Sequence, residues 1–169
     1  MFKKLLLAAA LILPMAVSAQ TLKIGLVDTA EIIQKLPDTA EAQQKLADTS
    51  KKYEDEYAKL QEEMKRRYDE IANMAEDELQ AIKERKTRDF QEYQMKIQQF
   101  EQSAAEELQK YNSDLMAPIV QKVRSAIESV GKEGGYSLIQ DYNTQLIFFY
   151  DAPVMNITPE VKAKLGIAE

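Results

Sequence analysis

The sequence predicts an α+β protein in which one long antiparallel helical hairpin, a coiled-coil tentacle, is inserted into a small β-rich oligomerisation body. Three observations lead to this fold class. Apolar residues recur at three- and four-residue steps through the middle of the chain. That stretch has no glycine between Asp38 and Gly131 and a single proline, Pro118. Short strand-like segments bounded by turn residues flank it on both sides.

Residues 1–19 are predicted to be a signal peptide. Lys3 and Lys4 precede the apolar run from Leu5 to Leu13, which is too short to span a bilayer as a finished helix. Val17-Ser18-Ala19 then supplies small residues before a cleavage point at Gln20. An uncleaved membrane anchor is the alternative interpretation. We expect a mature protein that is soluble and lies outside the cytoplasm.

The composition argues against several classes of function. The chain has no cysteine and no histidine, so it lacks thiol chemistry, the commonest general base and the commonest zinc ligand. The formal net charge of −6 argues against a nucleic-acid binder, which needs a surface that neutralises phosphates. No glycine-rich loop or metal-ligand spacing occurs, so no cofactor or metal is expected. The carboxylates Asp28, Glu31 and Asp141 are explained by capping and turns, and the chain is predicted not to be an enzyme.

The first part of the body is predicted from residues 20–38. Leu22, Ile24 and Leu26 alternate with their neighbours as in a strand. Asp28 is a predicted helix N-cap with Glu31 as its capping-box partner, followed by a short helix from Ala30 to Leu36 that Pro37 ends.

Residues 39–116 are predicted to be the hairpin arm, with its tip near 75–78. Positions of the stripe on the two halves lie almost equally far from a midpoint between Glu76 and Asp77, as expected if the chain reverses there. The facing pairs include Tyr53 with Phe100, Tyr57 with Ile97, Tyr68 with Lys86 and Met64 with Phe90. Asp38 with Glu41, and Asp77 with Gln80, repeat the capping-box pattern at the start of each arm helix.

Residues 117–169 are predicted to complete the body. The second arm helix should continue to about Val130 and be kinked or interrupted at Pro118. Gly134-Gly135 should end it. Tyr136–Gln140 and Leu146–Tyr150 resemble strands joined by a turn over Asp141–Thr144, and Thr158-Pro159-Glu160 begins a short final helix ending near Gly166.

The whole mature chain resembles the Skp/OmpH family of periplasmic chaperones. Its first segment reads KIGLVDTAEIIQKLPDTAEAQQKL, and two later ones read LMAPIVQKVRSAIESVGKEGGYSLIQD and LIFFYDAPVMNITPEVKAKL. The most specific matches are Val27-Asp28, Ala117-Pro118-Ile119, Gly135-Tyr136 and Asn156-Ile157-Thr158.

The resemblance implies a periplasmic homotrimer whose bodies join through a shared β-barrel and whose arms surround a cavity. Unfolded outer-membrane proteins, the clients, would be held there without ATP. The best-known relatives have basic arms, whereas acidic residues outnumber basic ones between positions 39 and 116 of this chain. A structural coiled-coil adaptor linking envelope components is the alternative function.

Several residues are candidates for these contacts. Met95 is a large apolar residue away from the seam and is a candidate client contact, although a stray exposed methionine is also commonplace. Met74 and Leu79 at the tip either grip clients or close the hairpin. A basic belt near the tip would attract acidic clients or, transiently, anionic lipid; its candidate members are Arg66, Arg67, Arg85 and Arg88. The candidates in the oligomerisation body are Leu22, Ile24, Leu26, Leu138, Ile147 and Phe149.

Overall fold

A computed structural model describes residues 22–142 and 147–167. Its elements, in chain order, are β1 (Ile24–Val27), α1 (Thr29–Lys35), α2 (Pro37–Ala72), α3 (Gln80–Gly134), β2 (Leu138–Asp141), β3 (Met155–Asn156) and α4 (Thr158–Leu165). The predicted signal peptide and its cleavage before Gln20 lie outside the described residues, as do part of the predicted turn and Leu146. Among the described helices, none is long and apolar enough to cross a membrane.

Helices α2 and α3 form the predicted antiparallel hairpin. Helix α2 has 36 residues, which at about 1.5 Å per residue gives a length of roughly 54 Å. The chain leaves α2 after Ala72 and enters α3 at Gln80, so the predicted tip lies within the connection. The Tyr53 and Phe100 rings are in contact with centroids 6.1 Å apart, as the symmetry of the stripe predicts. The α+β fold class with a helical hairpin is therefore confirmed.

The ends of the helices agree with the sequence prediction only in part. Asp28 is the N-cap of α1, and its side chain accepts a hydrogen bond from the Glu31 backbone N–H at 2.8 Å. The other two predicted caps are wrong, because α2 and α3 have Leu36 and Leu79 as N-caps, without side-chain bonds. At α2, Pro37 occupies the first turn, where its fixed φ and missing N–H favour a helix start.

Helix α3 continues from the arm into the body without interruption. Pro118 lies inside the helix, so of the predicted kink or interruption the interruption is wrong, and the kink stays a prediction. Pro118 is exposed, so the side of the helix that loses a backbone hydrogen bond faces solvent. The helix ends as predicted, because Gly135 adopts a left-handed conformation with φ 65°.

The sheet has three parallel strands in the order β2-β1-β3. The predicted strand over Leu146–Tyr150 is wrong, since residues 147–150 are not in a strand and Met155–Asn156 pairs with β1 instead. Burial of Ile157 explains the choice: its side chain is fully buried, and its N–H donates to the Leu26 carbonyl at 2.8 Å. This places the residues just before α4 beside β1.

The body has one hydrophobic core, made where α1, α3 and α4 pack on the sheet. Its fully buried members are few and aliphatic, and Ile32, Ile157 and Val161 have no exposed area. Gly131 of α3 lies close to β2, because a Cβ atom there would be 2.9 Å from Ile139. The continuous helix α3 thus contributes to the arm and to the core of the body.

Ion pairs and hydrogen bonds join α1 to α4 beside this core. Lys162 is 9 % exposed and donates to the Glu31 carboxylate, which also pairs with Lys35 at 3.1 Å. The Asp28 backbone N–H donates to the Thr158 hydroxyl at 2.9 Å. The bonds from Lys162 and then Lys35 lower the pKa of Glu31, and the bond to Glu31 raises the pKa of Lys162.

Truncating a core residue should unfold the body more easily. We expect Ile157→Ala to lower the free energy of unfolding by about 2–5 kcal/mol, because it leaves a cavity beside β1 and removes buried apolar area. Chemical denaturation followed by circular dichroism measures the change. Leu79→Ala at the exposed tip is the control and should change it by less than about 0.5 kcal/mol. Equal losses in the two variants would contradict the assignment of the core.

The Glu31–Lys162 pair should make stability depend on acid. Because the pKa of Glu31 is lowered in the folded state, the stabilisation is complete above its ordinary value of 4.5 and is lost as the pH falls below it. The pKa of Lys162 is raised in the folded state, so the stabilisation is also complete below its ordinary value of 10.5 and is lost as the pH rises above it. Glu31→Gln should therefore flatten the decrease in melting temperature between pH 5 and 3. Glu92→Gln on the arm should leave that decrease unchanged.

Candidate functional site

The arm is held together by a narrow apolar seam between α2 and α3. Leu60, Ile97 and Ala104 are its buried residues, together with Ala42 at the base. Tyr68 contacts Phe90 with the two rings tilted at 50° and their centroids 6.2 Å apart. Half-buried aromatic residues therefore cover much of the seam, and the arm has little fully enclosed core.

Polar contacts connect the two helices along this seam. The Tyr53 hydroxyl donates to the Glu107 carboxylate, which raises the pKa of Tyr53. The Arg67 guanidinium lies 4.6 Å from the centroid of the Tyr93 ring. At the base of the arm, Lys122 Nζ lies 2.7 Å from Asp38 Oδ2, and this bond lowers the pKa of Asp38. These contacts fix the register of the two helices.

An apolar groove opens on the arm between α2 and α3. Its volume is about 330 Å³, and its lining residues include Tyr53, Tyr57, Phe100, Ala104 and Leu108. The groove forms where the small side chains of Ser50 and Ala104 meet the larger rings on either side. Sequence analysis did not predict the groove, although these two small residues within the apolar stripe were the available signal.

The apolar candidates for client contact are exposed to different degrees. Met95 is 60 % exposed on α3 and Leu79 is 70 % exposed at the tip. Met74 is half-buried, which agrees with a part in closing the hairpin. These placements make Met95 and Leu79 accessible to a partner.

The basic candidates near the tip differ in how far neighbouring acids neutralise them. Arg66 donates to Glu63 through Nε at 3.0 Å and through Nη2 at 2.6 Å, and Arg67 pairs with the same carboxylate at 3.1 Å. Among residues 22–142 and 147–167, Arg85 and Arg88 form no ion pair and are exposed. The predicted belt is therefore accessible mainly on α3.

The body candidates fall into two groups. Leu26 is 3 % exposed and is buried within the chain, while Ile24 and Ile147 are half-buried. Leu22, Leu138 and Phe149 are exposed by half or more. Phe148, which sequence analysis did not select, is 94 % exposed; its place beside Phe149 in an apolar run was the available signal.

The carboxylates of the body bind neighbouring groups of the fold. Asp28 caps α1, Glu31 binds Lys162 and Lys35, and Asp141 accepts a hydrogen bond from the Thr29 hydroxyl. No group of three or more acidic residues within the described ranges is arranged to hold a metal ion. These side chains connect α1, β2 and α4.

Comparison with known proteins identifies the family. The model of the family described as outer membrane protein (OmpH-like) matches residues 23–165, which include every element of the arm and the body. A search of curated proteins found no match. The extent of the family match shows that the chain belongs to the OmpH-like family.

Proposed function

We propose that this protein is an ATP-independent holding chaperone of the periplasm that binds unfolded outer-membrane proteins and prevents their aggregation. The observation that carries the proposal is the family match over residues 23–165, which supports a role in outer-membrane protein biogenesis. The long arm above a small body supports the same function. Signal-peptide cleavage after residue 19 would deliver the chain to that compartment.

The division of labour in this proposal follows the two parts of the chain. Residues 20–38 and 117–169 form a trimerisation body, and residues 39–116 form an arm. Exposed apolar side chains on the body favour association. Each Å² of apolar area that a partner surface covers contributes about 25 cal/mol of stabilisation. The body residues assigned to that contact are Leu22, Ile24, Leu138, Ile147, Phe149 and, in addition, Phe148. Leu26 is buried within the chain and is left out of the contact.

Three arms around a cavity would hold a client by many weak contacts. A single-seam hairpin has little core, so each arm can bend to fit clients of different size. The residues assigned to client contact, or at the tip to transient contact with an anionic membrane, are Met74, Leu79, Met95, Arg66, Arg67, Arg85 and Arg88. Neither ATP nor a cofactor enters this scheme.

The mature protein should suppress aggregation of a denatured β-barrel membrane protein diluted out of urea. Light scattering should fall with increasing chaperone and should not respond to added ATP, because holding relies on binding alone. A folded, water-soluble protein is the control client and should not bind. Absence of any suppression would contradict the chaperone and favour the structural adaptor.

Sedimentation equilibrium should show a trimer of the mature chain. Phe148→Asp with Phe149→Asp should shift the mass towards the monomer, because charges would replace rings that association buries. Leu79→Asp at the tip is the matched control and should leave the mass unchanged. A wild-type monomer at micromolar concentration would contradict the proposed assembly.

A further inference from the structure

Helix α3 carries an exposed stripe without charge in an otherwise highly charged arm. Apart from one adjacent pair, Gln94 and Met95, its positions follow each other at three- and four-residue steps, which places them on one side of the helix. We call this stripe the charge-poor face and define it by Gln91, Gln94, Met95, Gln98, Gln102 and Ala105, all of them exposed. It continues to Gln109 and spans about 27 Å, the length of roughly eight residues of extended chain.

The other lateral side of α3 is charged. Glu92, Lys96, Glu107 and Lys110 are exposed there. On this side Glu107 accepts a hydrogen bond from the Tyr53 hydroxyl across the seam. Lys96 lies 5.3 Å from the centroid of the Tyr93 ring on the same helix, and Arg67 of α2 also contacts that ring. Charged groups on this side therefore take part in the packing of the hairpin.

The apolar groove opens beside the charge-poor face. Ala105 belongs to both, and Glu101 lies between them on the rim. The two acids at the rim are engaged by neighbours, because Tyr57 bonds to Glu101 and Ser50 donates to Glu54 at 3.3 Å. A neutral polar strip and an apolar slot thus adjoin each other along the arm.

We propose that the charge-poor face and its groove bind an extended, charge-poor stretch of unfolded polypeptide. This inference rests on the proposed function and names the surface that performs it. Glutamine amides can donate to backbone carbonyls and accept from backbone N–H groups whatever the client sequence. The groove accommodates an apolar side chain, and Met95 adapts its shape to others.

Charge supports this occupant over a charged one. A client of alternating apolar and small polar residues would displace water from any charged side chain that it covers. The desolvation free energy of a charged side chain is unfavourable and larger than that of a neutral amide. The charged side has charged side chains in successive turns of the helix, whereas none of the six residues that define the charge-poor face is charged. A client therefore finds the lower desolvation cost beside the groove.

Two matched double variants test the assignment in the full mature protein. Gln98→Glu with Gln102→Lys places an ion pair on the charge-poor face, and Gln99→Glu with Ser103→Lys places the same pair one residue further along, on the charged side. Both pairs are spaced to stabilise the helix. Affinity for a denatured β-barrel protein should fall about tenfold in the first variant and stay unchanged in the second.

A contact probe gives a second measurement that does not depend on stability. The chain has no cysteine, so Gln98→Cys and Gln99→Cys can each be labelled uniquely with benzophenone maleimide. Illumination with bound client should give several times more client crosslink from position 98 than from position 99. Circular dichroism should show the same helix content in all variants.

The outcomes separate this inference from the function on which it rests. If the wild-type protein fails to suppress aggregation, the proposed function is wrong. If the wild type suppresses aggregation but both double variants bind client equally well, the surface is wrong. Crosslinks from position 98 to a second copy of the chain, unchanged by client, would assign the face to contacts between arms and overturn the inference.

Discussion

The arm depends on a single apolar seam between two helices, and most of the molecule's features follow from that constraint. A two-helix hairpin can bury side chains on only one side of each helix, and few residues between Ala42 and Ala104 are buried. Packing is therefore spread thinly along the arm, and ring contacts such as Tyr53 with Phe100 supply much of it. The polar contacts to Glu107 and Tyr93 set the register of the two helices. They add little to the free energy of unfolding, because exposed ion pairs and hydrogen bonds contribute little to it.

The continuity of α3 transfers stability from the body to the arm. The same helix that carries Phe100 in the seam contributes Ile119, Val123 and Val130 to the body. Passage through Pro118 without a break keeps the two parts on one continuous helix. Bonds between α1 and α4 then close the core around that helix. The base of the arm should accordingly be the most stable part of the hairpin, and the tip the least.

Sequence analysis predicted the elements that periodicity controls and missed those that tertiary packing controls. The hairpin and its reversal near Glu76 follow from a long stripe of side chains, which local spacing records well. The third strand cannot be predicted in this way, because the apolar run from Ile147 resembles a strand more closely than Met155–Asn156 does. Pairing beside β1 is selected by burial of Ile157, which depends on α1 and α3, distant in sequence.

The same distinction applies to the candidate site. Exposure of Met95 was predictable from its place off the seam, and the pairing of Glu63 with Arg67 from their four-residue spacing. That Arg66 binds Glu63, three residues before it, instead of Glu62 depends on side-chain geometry. A capping box at Asp38 looked convincing, yet Lys122 binds that carboxylate from the other helix. Local sequence patterns cannot reveal a competing partner such as Lys122, because it meets Asp38 only after the chain has folded back.

Two unlike sides on one arm reconcile solubility with reversible holding. Charges on one side keep a long exposed helix pair hydrated, while the charge-poor face can lose water at a lower cost. Each neutral hydrogen bond contributes only about 0.5–1.5 kcal/mol net, so a client is retained by the number of contacts instead of by any strong one. Such contacts can be lost one after another. In the proposed function release needs no nucleotide, because folding of the client would remove the exposed backbone groups that the glutamines are proposed to bind.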